Sequence, residues 1–144
     1  DDGEGQKNLE LADVIIVGVS RTSKTPTCIY LANKGIKAAN YPLVPDIGVS
    51  KELDEVKSPT VVALITSAQT LVEIRRKRSL ELGLKDKETD YINVHKVEEE
   101  IIAAKRIFAN KGWPVIDITR RSVEETASAI MNIISLKEKK ENVQ

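Results

Sequence analysis

Ala12-Asp13-Val14-Ile15-Ile16-Val17-Gly18-Val19-Ser20-Arg21-Thr22-Ser23-Lys24-Thr25-Pro26 is the stretch that decides the fold of this 144-residue chain. Residues 12–17 form a short apolar run rich in β-branched side chains. It does not alternate, so it reads as a strand buried on both faces, as in a parallel sheet. The run ends at Gly18. A polar loop follows, and Pro26 suits the first turn of a helix, where a missing N–H costs nothing. Strand, loop and helix in that order are the opening of a β–α–β unit.

The pattern repeats along the chain. A helix is expected over residues 26–34, stopped by Gly35. A second strand is expected over 36–41, ended by Pro42 and Pro45. Residues 46–58 are polar and read as loop with a short helical turn. Residues 60–65, Thr-Val-Val-Ala-Leu-Ile, are a third buried strand. An arginine-rich helix follows over 68–82, then a connector over 84–92. Val97, Ile101, Ala104 and Phe108 recur at helical spacing, which predicts a helix over 94–110 with one buried face, closed by Gly112. Residues 115–118 are a fourth strand, entered past Trp113 and Pro114. Ser122 with Glu125 three residues on is a capping-box pattern, and Val123, Ala127, Ile130, Met131 and Ile134 give the last helix a buried stripe. The expected fold is α/β, a parallel sheet of about four strands with helices on both faces. The expected organisation is a flexible lead-in over 1–10, one domain over 11–136 and a charged, loose tail over 137–144. In such sheets ligands bind beyond the carboxyl ends of the strands, so function is expected after residues 17, 41, 65 and 118.

Composition narrows the function. Lys plus Arg and Asp plus Glu are both 22, a formal net charge of zero. That argues against a general nucleic-acid or membrane-surface binder. Hydrophobic residues at 41% and charged residues at 31% make a globular mixture. A single cysteine, Cys28, leaves no internal disulfide and no multi-cysteine metal site, and fits a reducing cytoplasm, the expected location. No apolar run approaches the roughly 20 residues that span a bilayer. No signal-peptide pattern is read, and the start at Asp1 rather than Met reads as a piece of a longer chain.

Gly18-Val19-Ser20-Arg21-Thr22-Ser23-Lys24-Thr25 has the spacing of the phosphate-binding loop G-x-x-x-x-G-K-[ST], so the expected α/β fold is P-loop kinase-like and the domain over 11–136 is expected to bind nucleotide. A loop curled round a phosphate points successive amides inward, and the helix N-terminus behind it adds a positive dipole. Lys24 neutralises the terminal phosphate, and the Thr25 hydroxyl is a candidate magnesium ligand. Ser23 stands where the pattern has its second glycine, so it either accepts backbone strain or adopts a different angle.

From Gly18 through Pro26, then Thr27-Cys28-Ile29-Tyr30-Leu31-Ala32 and Ala39-Asn40-Tyr41-Pro42, the chain resembles the bifunctional regulatory proteins of pyruvate, phosphate dikinase and of phosphoenolpyruvate synthase. The resemblance continues through Leu71, Ile74-Arg75, Arg78 and Leu82-Gly83. It reaches Trp113-Pro114-Val115-Ile116-Asp117 and Ser122-Val123-Glu124-Glu125-Thr126-Ala127, and covers nearly the whole chain in order. It is to the C-terminal half or so of the family, so an N-terminal domain is expected elsewhere. The resemblance implies that Ser23 is an accepted variant of the loop. It implies an enzyme that uses ADP as phosphoryl donor to phosphorylate a threonine of the dikinase or the synthase, switching it off. It also implies reversal by phosphorolysis, in which inorganic phosphate attacks the phosphothreonine and pyrophosphate leaves. Both directions need a site for two adjacent phosphates. Arg21, inside the loop, adds a second cation suited to transfer of the β-phosphate.

The remaining candidates carry two readings each. Asp46, after the second strand, is either general base or magnesium-water ligand for the acceptor hydroxyl, or a turn aspartate. Arg75 and Arg78 share a helix face and either bind the incoming phosphate or phosphothreonine, or are solvated. Asp117, Thr119 and Arg120 either contact base or ribose, or end a strand and cap a helix. His95 is read as a surface residue, Cys28 and Met131 as packing, Trp113 as an anchor. Expected ligands are ADP, inorganic phosphate, pyrophosphate and Mg2+. Expected partners are the dikinase or synthase, with no nucleic acid and no membrane, and with room for a homodimer. Two other classes stay open: an ATP-dependent small-metabolite P-loop kinase, and a non-enzymatic nucleotide- or phosphate-sensing module. A GTPase is set aside, because Asn33-Lys34-Gly35-Ile36 lacks the guanine-reading aspartate.

Overall fold

The computed structural model describes residues 9–83 and 92–143. A 3-10 turn, Leu9–Leu11, leads into β1 (Val14–Gly18), α1 (Lys24–Asn33), β2 (Ala38–Pro42), α2 (Lys51–Asp54), β3 (Thr60–Ile65), α3 (Ala68–Glu81), α4 (Val94–Lys111), β4 (Val115–Asp117) and α5 (Val123–Val143). The four strands are parallel in the order β2-β1-β3-β4. The α/β class and the four-strand parallel sheet are as the sequence predicts. The connector expected over 84–92 lies almost wholly outside the described residues.

β1 explains the architecture. Its side chains are buried throughout, Val14 and Ile16 on one face, Ile15 and Val17 on the other. Val14 and Ile16 pack with Leu31 of α1 and Ala127 and Ile130 of α5. Ile15 and Val17 pack with Leu71 of α3 and Val97, Ile101, Ala104 and Phe108 of α4. Each such aliphatic side chain contributes about 1.5–3 kcal/mol on burial. Turning the run by one residue exchanges its two faces rather than exposing either, which is why only a two-sided core accepts it. Trp113 packs beside Phe108, ring centroids 6.3 Å apart and planes tilted by 41°, where the chain enters β4.

Element ends differ from expectation for local reasons. α1 begins at Lys24, two residues before Pro26, because a helix's first four N–H groups need no carbonyl and proline fits among them. β2 begins at Ala38, not 36, because Ile36 still donates its N–H to Leu31 at the end of α1. The capping box forms: Ser122 N–H donates to Glu125 Oε1 and Glu125 N–H to Ser122 Oγ, both at 3.0 Å. The lead-in expected to run to residue 10 is fixed from Leu9, which is buried, while the Glu10 carboxylate accepts the N–H groups of Lys57 and Ser58. The segment from 137, expected as a tail, is helical. α5 continues to Val143, and Lys137 donates to the carbonyls of Ser58 and Pro59.

β1 crosses to β2 on one side, and the chain returns past it to β3 on the other. The crevice for a ligand therefore opens at the carboxyl end of β1.

Candidate functional site

The loop after β1 turns on two left-handed residues that are not glycine, Arg21 (φ 71°) and Ser23 (φ 60°). Ser23 thus accepts the strain that a glycine would avoid, at a cost of about 1–2 kcal/mol. Gly18 is needed for close approach. A Cβ there would lie 2.7 Å from Thr22 Oγ1 and 3.0 Å from the Leu64 carbonyl. Thr22 is fully buried and donates its hydroxyl to the Val19 carbonyl at 2.8 Å, closing the loop on itself. Lys24 is also buried, its ammonium 2.7 Å from the Val19 carbonyl and 3.3 Å from Thr22 Oγ1.

This geometry leaves donors open. The side chains of Ser50, Ser67, Asn93 and Ser122 cap their helices, whereas Ser23 makes no side-chain cap on α1. Among the described residues, the amides of Arg21, Thr22 and Ser23 take no protein acceptor. They sit at the positive end of a ten-residue helix, beside a lysine and an arginine. Open amides, a dipole and two cations at one point are what an oxyanion of a polyphosphate needs. A cleft of about 400 Å³ opens there, lined by residues 20–26, Asn40, Pro42 and Ile74.

The structure thus brings together Ser20 to Thr25, with Arg21 exposed on the rim. Gly18 and Val19 form the base beneath them. Other expected candidates lie elsewhere. Asp46 is exposed on a turn held by Val44, which accepts the N–H groups of Ile47 and Gly48, and does not line the cleft. Arg75 and Arg78 are separated despite their spacing. Arg75 is fully buried, bidentate to Glu100 at 2.8 and 2.9 Å, and donates to the Ser20 carbonyl at 3.2 Å. Arg78 is half exposed and 4.0 Å from Glu81. Arg75 therefore braces the loop from behind through a loop carbonyl. Thr119 is saturated: it gives its one hydroxyl hydrogen to Asp117 and accepts from Ser67 N–H and the Thr66 hydroxyl. Those Thr119 bonds, side chain first, hold the Asp117 carboxyl below the usual carboxylate range. The pair ends β4 and ties it to α3. His95 is exposed at the start of α4. Burial pushes the Cys28 thiol up to about 11, with only partial relief from nearby Lys24, so it stays a packing thiol.

Asn40 and Ile74, which carry the family resemblance, are cleft residues to which sequence reasoning gave no role. Asn40 Nδ2 donates to Thr25 Oγ1 at 2.8 Å. A polar side chain inside a strand, next to the loop's own strand, was the available signal. Magnesium fits this lining poorly. Thr25 offers one hydroxyl, and among the described residues no carboxylate lines the cleft and no cluster of three metal-ligating side chains exists. Among the described residues no helix is long and apolar enough to cross a membrane.

Curated relatives from Caulobacter vibrioides, Sphingopyxis alaskensis and Bartonella tribocorum are 58%, 52% and 54% identical over 93–94% of this chain, and carry the name "pyruvate, phosphate dikinase regulatory protein". The chain spans 42–49% of their length, so it corresponds to under half of each. The family model described as kinase/pyrophosphorylase matches residues 1–131, and with the parallel sheet and the amide-lined loop in place, the chain belongs to the kinase/pyrophosphorylase family.

Proposed function

We propose that this chain carries the nucleotide site of an enzyme that moves the β-phosphoryl group of ADP to a threonine of pyruvate, phosphate dikinase, and that restores the threonine with inorganic phosphate. In the forward direction the threonine oxygen forms a bond to the β-phosphorus, the bond to the bridging oxygen breaks, and AMP leaves. In the reverse direction a phosphate oxygen attacks the phosphothreonine, and pyrophosphate and the free hydroxyl result. The open amides of Arg21, Thr22 and Ser23 are the observation that carries this reading, because they bind phosphate oxygens without regard to which direction is running.

The remaining roles follow from position. Lys24 neutralises the transferred phosphate from inside the loop. Arg21, on the exposed rim, faces the leaving or entering phosphate. Arg75 holds the loop in shape from behind. The acceptor hydroxyl must lose its proton; among the described residues no carboxylate lines the cleft, and the base is assigned to Asp46 on the turn after β2, at the same edge of the sheet. The relatives' printed name supports the dikinase over the synthase as target. The proposed setting is the cytoplasm, where a single unpaired cysteine stays reduced.

Calorimetry with ADP, ATP, GTP and pyrophosphate, followed by phosphothreonine mass spectrometry on the dikinase and the synthase, tests the reading. ADP and pyrophosphate are expected to bind, and Lys24→Ala to weaken both by roughly 100-fold, the loss of a charge-assisted contact. ATP preference with turnover of a metabolite would replace this reading with an ordinary kinase. Binding without transfer to either target, in the full-length protein as well, would make the chain a sensing module.

A further inference from the structure

Asn40 stands at an unusual junction. It lies on β2 paired with Ile16 of β1, so it approaches the first turn of α1, where its Nδ2 donates to Thr25 Oγ1 at 2.8 Å. Both residues line the cleft. A threonine hydroxyl has one hydrogen and two lone pairs. One lone pair is taken by Asn40, and among the described residues the hydrogen has no protein acceptor. In ATP-using P-loop enzymes an aspartate shares a magnesium ion with this hydroxyl. Here an amide donor occupies the neighbouring position, and among the described residues no carboxylate lines the cleft.

A second observation separates this amide from a packing residue. Asn40 Oδ1 is buried and, among the described residues, has no hydrogen-bond partner. A buried acceptor left in that state is a net loss to the folded chain. Folding alone gives no reason for an amide here.

We propose that Asn40 is a positioning residue that turns the Thr25 hydroxyl hydrogen toward the bound phosphates, so that the site grips a diphosphate with protein donors alone and any divalent cation arrives on the nucleotide rather than on the protein. The inference rests on the reading of the cleft as a diphosphate site, and deepens it by fixing the polarity of one hydroxyl.

The test is calorimetry of ADP and of inorganic pyrophosphate, in chelator and in magnesium, on the wild-type chain, Asn40→Ala, Asn40→Asp, Thr25→Val and Asn40→Ala/Thr25→Val, with a thermal melt of each. Wild type is expected to bind in chelator within a few-fold of its affinity in magnesium. Asn40→Ala and Thr25→Val each lose roughly tenfold, and the double variant loses no more than the larger single one, because one hydrogen bond to phosphate is being removed twice. Asn40→Ala melts no lower than wild type. Asn40→Asp, which makes the neighbour an acceptor and reverses the hydroxyl, loses the most in chelator and recovers in magnesium. Additive losses, a lowered melt for Asn40→Ala, or wild-type binding by Asn40→Asp in chelator would each overturn the proposal while leaving the diphosphate site standing. A wild-type chain that binds neither probe in either buffer would overturn the site itself, and this inference with it.

Discussion

Replacing Arg75 by methionine isolates the brace behind the loop. The guanidinium is fully buried, and its partner Glu100 keeps 27% of its side-chain surface exposed. Breaking a buried ion pair from one side costs about 3–5 kcal/mol, because the remaining charge is left uncompensated. The exposed edge of Glu100 lets water replace part of that loss, which puts Arg75→Met near 2–3 kcal/mol. Unfolding entropy of about 2.1 cal/mol/K per residue converts this to a fall in Tm of roughly 7–10 °C for a chain of this size. Adding Glu100→Leu removes the stranded charge, and the double variant is expected to return to within about 1 kcal/mol of wild type. ADP affinity should not return with it, since the Ser20 carbonyl still lacks the guanidinium that holds it at 3.2 Å. Thermal melts paired with ADP calorimetry on the three variants read both quantities. A single variant that melts within 1–2 °C of wild type, or a double variant that stays as unstable as the single, would refute the brace. Recovery of ADP affinity in the double variant would confine Arg75 to stability.

Three further outcomes are expected. Ser23→Gly relieves a left-handed serine worth about 1–2 kcal/mol but adds freedom to the unfolded chain, so Tm should hold or rise by a few degrees, and a clear drop would deny the strain. Asp46→Asn should leave ADP affinity unchanged and slow threonine phosphorylation, and equal transfer rates in both forms would remove the base from Asp46. Glu10, Asp117 and Glu125 have carboxyls held below their ordinary range, chiefly by the Ser58 amide, the Thr119 hydroxyl and the Ser122 amide. Their contribution is present above the unfolded carboxylate range of about 4 and is lost as pH falls through the lowered folded values. Melts from pH 7 down to pH 3 should therefore fall in acid, and Asp117→Asn should flatten the fall.

The sheet was legible because β1 and β3 bury both faces, which leaves an apolar run that needs no partner to be recognised. The loop was legible because backbone geometry demands particular residues at particular spacings. Asn40 and the burial of Arg75 were harder to read, since each depends on a neighbour distant in sequence, Thr25 at 15 residues and Glu100 at 25. A signal for Arg75 did exist. Leu71, Val72 and Arg75 fall at helical spacing on the face of α3 that turns inward, so the arginine shares the apolar stripe. The end of α5 escaped for a different reason. Its charges suggested solvent, yet an ammonium held by two carbonyls of a remote loop anchors it.

Trp113 has a practical consequence. It is the chain's one tryptophan, and it lies against Phe108 where the chain enters β4, at the amino edge of the sheet, whereas the cleft opens at the carboxyl edge. Its emission is therefore a built-in optical gauge of whether the helices packed on the sheet are in place, and one that stays silent when nucleotide docks. Titrations of ligand need a separate dye or heat signal, while denaturation can be followed on unlabelled material.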